Sequence, residues 1–187
     1  KDFTGWEGNM EFFRIEDNVL IAGSLEKPVP RNEFLCTERE YSDFELRLQV
    51  KSTHGYENGG IQIRSRRVPN HNEVSGYQAD VGIEPTRSIW GGLYDESRRR
   101  EMLALGNQDS LQKVWNPNGW TDYVIRCEGN RIQIWINGYQ TVDYFEKDPK
   151  IEKTGIIGLQ VHGSRDPSEI WYRSLRIKEL NKKNEET

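Results

Sequence analysis

The sequence predicts an all-β fold: a β-sandwich of two antiparallel sheets with at most one short helix. Short runs that alternate apolar and polar residues recur along the chain, and 17 glycines are spread among them. Only 34% of the residues are hydrophobic, but 6 Trp, 8 Tyr and 6 Phe can supply a core because aromatic side chains bury large areas. In a chain of 187 residues we expect one domain over residues 1–180 and a flexible tail at 181–187.

About ten runs have the length and spacing of sandwich strands. The clearest is FELRLQV at 44–50, in which Phe and the aliphatic residues alternate with polar ones and are expected to point inward. The one helix candidate is SRRREMLAL at 97–105.

Two later segments predict strands together with their connections. Residues 122–144 predict three antiparallel strands, because Gly129-Asn130 and Asn137-Gly138 tolerate the positive φ of tight hairpin turns. The run WYRSLRIKEL at 171–180 predicts a last strand, with an irregularity at Ser174 where the alternation slips.

Charge and cysteine content exclude several classes of protein. The net charge of -4 argues against nucleic acid or an anionic membrane as the main partner. No apolar run approaches the length needed to span a membrane. Cys36 and Cys127 are too few for a disulfide scaffold and lie in strand-like runs, so we expect buried free thiols in preference to a disulfide.

Three strand-like runs, 59–66, 76–82 and 155–163, have unusual polar faces. Their apolar residues alternate with amides, guanidinium groups, a carboxylate and an imidazole, whereas other strands have ordinary polar faces. The expected outward residues are Gln62, Arg64 and Arg66 on the first run, Gln78 and Asp80 on the second, and Gln160 and His162 on the third.

Such a face suits a polyhydroxylated ligand. Amides and charged groups bond hydroxyls, and the neighbouring Trp90, Tyr94 and Trp115 can cover the apolar side of a sugar ring. The pattern fits equally well an internal polar ladder or a plain solvated face.

Six segments form an ordered set of motifs: NGGIQIRSR (58–66), GYQADVG (76–82), WGGLYDESRR (90–99), the hairpin at 119–138, GIIGLQVHG (155–163) and WYRSLRIKEL (171–180). Over nearly the whole chain they resemble the 3-keto-disaccharide hydrolase domain family, of the concanavalin A-like lectin and glucanase superfamily. The resemblance implies a concanavalin A-like jelly-roll β-sandwich with its site on the concave sheet. It also implies a bacterial, periplasmic or extracellular protein whose signal peptide has been removed.

One departure from the family bears on the catalytic acid. Many members have a Y-E-x-Q run where this chain has Tyr77-Gln78-Ala79-Asp80, so an acidic and an amide position are exchanged. The chain is therefore similar to a sub-group of the family whose acid lies at the position of Asp80. An amide at Gln78 also cannot form the glycosyl ester of an ordinary retaining glycosidase.

The resemblance implies a 3-keto glucoside or disaccharide as substrate and cleavage by elimination. The C3 ketone acidifies the C2 proton, a base removes it, the C1 substituent departs, and water then adds to the double bond. This chemistry needs a base, a donor for the enolate oxygen and an acid for the leaving oxygen.

Candidate catalytic residues follow from these requirements. His162 is the candidate for proton transfer because imidazole titrates near neutral pH. Asp80 is expected to orient His162, to act as a base itself or to bind a divalent cation, and Arg64 to stabilise the enolate. Glu96 is the candidate acid. The expected substrate-binding residues are Gln62, Arg66, Gln78, Trp90, Tyr94, Asp95, Trp115 and Gln160.

A cofactor and two other functions stay open at this point. A divalent cation could be held by Asp80, His162 and another carboxylate, although no ligand spacing demands one. The same fold could instead serve as a non-catalytic carbohydrate-binding module, or as a laminin-G-like interaction domain.

Overall fold

A computed structural model describes residues 2–55 and 57–180, which form sixteen strands and one short helix. The predicted tail at 181–187 lies outside the described residues. The strands are β1 (Trp6–Glu7), β2 (Phe13–Glu16), β3 (Val19–Ser24), β4 (Glu33–Tyr41), β5 (Phe44–Ser52), β6 (Gly59–Arg67), β7 (Val74–Val81), β8 (Ile83–Glu84), β9 (Arg87–Ser88), β10 (Leu93–Glu96), β11 (Met102–Ala104), β12 (Thr121–Glu128), β13 (Arg131–Ile136), β14 (Tyr139–Phe145), β15 (Gly155–Val161) and β16 (Ser168–Glu179), and the helix is α1 (Gln108–Val114).

Fourteen of the described strands form two seven-stranded antiparallel sheets, and β8 and β9 form a separate hairpin. The front sheet has the order β1-β4-β15-β6-β7-β10-β11, and the back sheet has the order β14-β13-β12-β5-β16-β3-β2. This arrangement confirms the predicted all-β jelly-roll sandwich. All three runs with unusual polar faces belong to the front sheet, where β15, β6 and β7 are adjacent.

The core lies between the two sheets and is built by the predicted alternation. On β5, Phe44, Leu46, Leu48 and Val50 are all buried in it, as expected. Both cysteines are buried free thiols, as predicted, and their burial raises the pKa of each thiol to about 12.

The helix prediction was wrong. Residues 97–105 form a tight turn followed by β11, and both Ser97 and Arg100 have positive φ. The helix begins later because the side chain of Asn107 accepts a hydrogen bond from the Ser110 amide at 3.0 Å, which caps the first turn. The irregularity predicted at Ser174 is confirmed: its φ is 56°, and the pairing of β16 with β5 shifts register there.

The tight turn after β10 is held by an ion-pair network at one end of the sandwich. Asp95 is fully buried and pairs with the guanidinium groups of Arg98 and Arg99. Arg99 also donates to Glu146 at 2.7 Å, and Glu146 accepts a second hydrogen bond from the Tyr77 hydroxyl. Burial opposes the ionisation of Glu146, but the bonds from Arg99 and Tyr77 outweigh it and lower its pKa to about 2.

Arg99→Met should lower the free energy of unfolding by about 3 kcal/mol near neutral pH, because it leaves Glu146 without its cation. The depressed pKa of Glu146 means that this contribution is present above the ordinary carboxyl range and is lost as the pH falls towards about 2. Urea denaturation at several pH values measures both effects. The control is Arg131→Met, which removes an exposed pair with Asp143 and should cost about 1 kcal/mol or less. Equal losses in the two variants would contradict the assignment.

Candidate functional site

The outward face of the front sheet, called the front face below, has a floor of glutamines and glycines. Across the strands, Gln160 pairs with Gly60 and Gly60 pairs with Asp80. In the next row Gly158 pairs with Gln62, and Gln62 pairs with Gln78. Each glycine therefore lies beside a glutamine of a neighbouring strand.

The glycine at position 60 is what allows the glutamine on β7 to lie across the floor. A Cβ atom at Gly60 would lie 2.7 Å from Cγ and Cδ of Gln78, so any larger residue would displace that side chain. In its present position the Gln78 amide nitrogen donates to Asp80 Oδ1 at 2.6 Å.

Several amide atoms of this floor are buried without a hydrogen-bond partner in the described part of the chain. They are both side-chain polar atoms of Gln62, both of Gln160 and the oxygen of Gln78. Gln62 and Gln160 are completely buried. Because an unsatisfied buried amide costs free energy, we expect these atoms to bond to water or, for Gln78 at the cavity described below, to a ligand.

Three hydrogen bonds hold the backbone of Asp80 in place on the front face. Its backbone N–H donates to Gly92 at 2.9 Å, and its carbonyl accepts from Gly91 at 3.0 Å. The carbonyl also accepts from the Tyr123 hydroxyl, which reaches across the core from the back sheet at 2.8 Å. The strand pairing and the core thus hold the residue in place from both sides.

The carboxyl group of Asp80 is in a strongly unfavourable environment for a charge. Its side chain is buried, and among the described residues the Gln78 amide is the one donor that it meets. Burial raises the pKa of Asp80 well above its ordinary value, and the nearby carboxylates Glu96 and Glu84 raise it further. The bond from Gln78 and the charge of Arg87 oppose that shift.

A cavity of about 410 Å³ lies over this part of the front face. It brings together Gln78, Asp80, Tyr94, Glu96 and His162 of the predicted site. The remaining lining residues come from β8, β9, β11 and the neighbouring loops: Asn32, Asn58, Glu84, Arg87, Ile89, Arg100, Glu101 and Met102.

Glu96 and His162 are the other proton-transfer candidates that line the cavity. Burial and the neighbouring Glu73 raise the pKa of Glu96, while His162 opposes the shift. His162 is exposed, and its Nδ1 lies 2.7 Å from the carbonyl oxygen of Gly163. Because a carbonyl can only accept, Nδ1 carries the hydrogen and Nε2 has the free lone pair when the ring is neutral.

The expected position of Arg64 was wrong. A register shift between Ile63 and Arg66, together with a φ of 46° at Arg64, interrupts the alternation of β6. The Arg64 side chain instead donates to the carbonyls of Ser42 and Gly129 and pairs with Asp43. It therefore joins two turns and does not line the cavity.

Six other predicted residues also do not line the cavity, and two of them, Gln62 and Gln160, are the completely buried amides of the floor. Arg66 pairs with Glu40 and Glu152 at the surface. Asp95 points inward, because it alternates with Tyr94 and Glu96, and belongs to the ion-pair network. Trp90 is in the core, and Trp115 packs against it with ring centroids 5.6 Å apart. The contact between these two tryptophans could not be predicted from the sequence, because both lie in partly apolar segments without a clear strand pattern.

The cavity also contains charged residues that the sequence did not single out. Arg87 pairs with Glu84 across the β8–β9 hairpin. Arg100 and Glu101 reach the cavity from the turn after β10. This turn, in which Ser97 and Arg100 have positive φ, lies where a helix was predicted.

No group of three or more His, Cys, Asp or Glu side chains within residues 2–55 and 57–180 is arranged to hold a metal ion. Asp80, His162 and Glu96 share the cavity, but they do not form a ligand set. The described residues therefore do not fit the divalent cation considered from the sequence. No helix among them is long and apolar enough to cross a membrane.

A family model and several solved structures each match most of the chain. Residues 1–178 match the model of the 3-keto-alpha-glucoside-1,2-lyase-like domain. No curated protein matched the chain.

Solved structures share the fold at low sequence identity. A putative glycosyl hydrolase from Parabacteroides distasonis ATCC 8503 is 20% identical, with a TM-score of 0.66 over 95% of this chain and 94% of that chain. The carbohydrate binding module CBM66 from Bacillus subtilis is 14% identical, with a TM-score of 0.67 over 93% of this chain and 95% of that chain. The exoplasmic/lumenal domain of VIP36, in a form bound to Ca2+ and Man3GlcNAc, is 12% identical, with a TM-score of 0.65 over 97% and 85%.

Asp80→Asn should stabilise the protein near neutral pH. The raised pKa means that the folded chain holds the Asp80 proton more tightly than the unfolded chain, so stability falls as the pH rises from about 4 through the folded-state pKa. Asparagine removes that penalty. We expect a higher Tm than the parent protein at about pH 8 and a difference near zero at about pH 4. A lower Tm than the parent protein at about pH 8 would contradict the raised pKa of Asp80.

Proposed function

The chain belongs to the 3-keto-alpha-glucoside-1,2-lyase-like domain family, and on that premise we propose that its front face cleaves 3-keto-glycosides by elimination. A base removes the proton at C2, and the electron pair forms an enolate on the C3 oxygen. The enolate then expels the C1 oxygen, which takes up a proton, and leaves a C1–C2 double bond beside the ketone. Water adds across that bond, so the net reaction is hydrolysis.

The observation that carries the proposal is the buried carboxyl of Asp80 at the wall of the cavity. A carboxylate with a raised pKa is a stronger base than an exposed one, and a C2 proton beside a ketone is a weak acid. Gln78 orients the carboxylate through its amide, while Tyr123 and the strand pairing fix its backbone. We assign the removal of the C2 proton to Asp80.

The remaining steps fall to side chains on other walls of the cavity. His162 presents Nε2, and Glu96 has a raised pKa, so the two can exchange a proton with the leaving oxygen and the incoming water. Arg100 supplies positive charge for the enolate oxygen, the role that the sequence suggested for Arg64. The Gln78 amide lines the cavity and suits a sugar hydroxyl, and the buried amides of Gln62 and Gln160 suit water bound beneath it.

A non-catalytic carbohydrate-binding module is the second candidate. The unpartnered amide oxygen of Gln78 at the cavity favours it, because it suits hydroxyl recognition without requiring any turnover. The export of the protein to the periplasm or the cell exterior remains part of the proposal and rests on the family resemblance.

The proposed roles of Asp80 and His162 can be separated with two substrates. One is a 3-keto-glucoside with a 4-nitrophenyl leaving group, and the other is 3-keto-trehalose, whose leaving group is a sugar. Asp80→Asn should lower kcat/KM for both by about 10²-fold or more, because proton removal is common to both. His162→Ala should affect mainly 3-keto-trehalose, because a nitrophenolate departs without an acid.

Binding of the unoxidised glucoside by calorimetry is the control, and both variants should retain it. Binding without turnover of either substrate by the parent protein would support the module instead. Equal losses on both substrates in His162→Ala would overturn the assignment of His162 to the leaving group.

A further inference from the structure

We propose that the outward face of the back sheet carries a second carbohydrate-binding surface, specific for neutral oligosaccharide chains. Its main part is a groove of about 690 Å³ between β2, β3 and the start of β16. Trp171 forms one wall, Ile21 and Val19 supply apolar surface, and Arg14, Glu169 and Ser24 supply polar groups. We call this feature the back groove.

The Trp171 side chain is fixed in a partly exposed position. Its indole N–H donates to Glu169 at 2.8 Å, and Glu169 in turn accepts from Arg14 at 2.7 Å. The Glu169 side chain is only 3% exposed. A buried carboxylate that anchors a partly exposed indole gives a rigid aromatic wall, which costs little entropy on binding.

A second tryptophan extends this surface across the sheet. Trp171 pairs with Lys51 of β5, whose ammonium group lies 5.5 Å from the Trp171 ring centroid, and the ring of Trp120, which directly precedes β12, has its centroid 6.3 Å from that of Trp171. The Arg173 guanidinium stacks on one face of Trp120 at 3.9 Å, but the indole remains partly exposed. The surface formed by the back groove and the two tryptophans extends from β3 to β12. It crosses three strand spacings of about 4.8 Å each, so its length exceeds that of one sugar ring.

The chemistry of this row favours a glycan over other ligands. Aromatic walls alternate with amide, carboxylate and ammonium groups, including Gln49 and Asp122, which hydrogen-bond each other at 2.7 Å. The groove is lined by Glu11, Glu16, Glu26 and Asp17 as well as by Lys27 and Arg14. Because the carboxylates outnumber the cations, an anionic polysaccharide is disfavoured and a neutral chain is the expected occupant.

The back groove lies on the opposite side of the sandwich from the cavity of Asp80. The core separates the two surfaces, so both can be occupied at once. A protein with this arrangement would hold a glycan on one side while the front face acts on a small oxidised sugar.

Calorimetric titration with maltohexaose, cellohexaose and xylohexaose tests this proposal. At least one of the three should bind the parent protein, and Trp171→Ala and Trp120→Ala should each weaken that binding by about tenfold or more. Phe145→Ala is the matched control, because it removes another exposed aromatic side chain of the back sheet and should leave the affinity unchanged. Asp80→Asn should also bind as the parent does.

A Tm close to that of the parent shows that the tryptophan variants are folded, and their turnover of the nitrophenyl 3-keto-glucoside separates the two proposals. If none of the hexasaccharides binds, or if both tryptophan variants bind as tightly as the parent, the back groove is not a glycan site. Loss of binding in Phe145→Ala as well would also overturn it. Absence of turnover in the parent protein would contradict only the front-face reaction.

Discussion

The burial of the Asp80 carboxyl group beside a single amide donor is the constraint on which the front face depends. Gly60 must lack a side chain so that Gln78 can lie across it and reach that carboxyl. Tyr123 spans the core to the Asp80 carbonyl, and the strand pairing holds its N–H, so the residue cannot turn away from the cavity. The fold therefore holds a carboxylate where its charge is costly, which is what a base for a weak carbon acid requires.

Another buried carboxylate, that of Glu146, has a lowered pKa, in contrast to Asp80. Glu146 meets a guanidinium and a tyrosine hydroxyl, and its pKa is lowered to about 2. Its network holds the turn from which Arg100 and Glu101 enter the cavity, next to Glu96 on β10. Paired charge thus stabilises the frame, whereas the buried carboxyl of Asp80, which has no ion pair among the described residues, lies on the face that we propose to be catalytic.

Much of this could be predicted from the sequence, because strand alternation has a period of two and the core selects one side of each strand. That rule placed Gln62, Gln78, Asp80 and Gln160 on one face. It failed at Arg64, because a positive φ in a residue other than glycine leaves no signal in the alternation. The helix was predicted in the wrong place because the N-cap residue is Asn107, which lies after the charged run at 97–105. The reach of Arg100 into the cavity depends on tertiary contacts that no local pattern encodes.

The central claim is that the front face breaks the C2–H bond, and isotopic labelling tests it most directly. A 3-keto-glucoside deuterated at C2 should react with a primary isotope effect on kcat/KM, and the released sugar should have lost its deuterium to water. Cleavage with no isotope effect and with the deuterium retained at C2 would mean that water or a nucleophile attacks C1 directly. That result would contradict the assignment of Asp80 as the base.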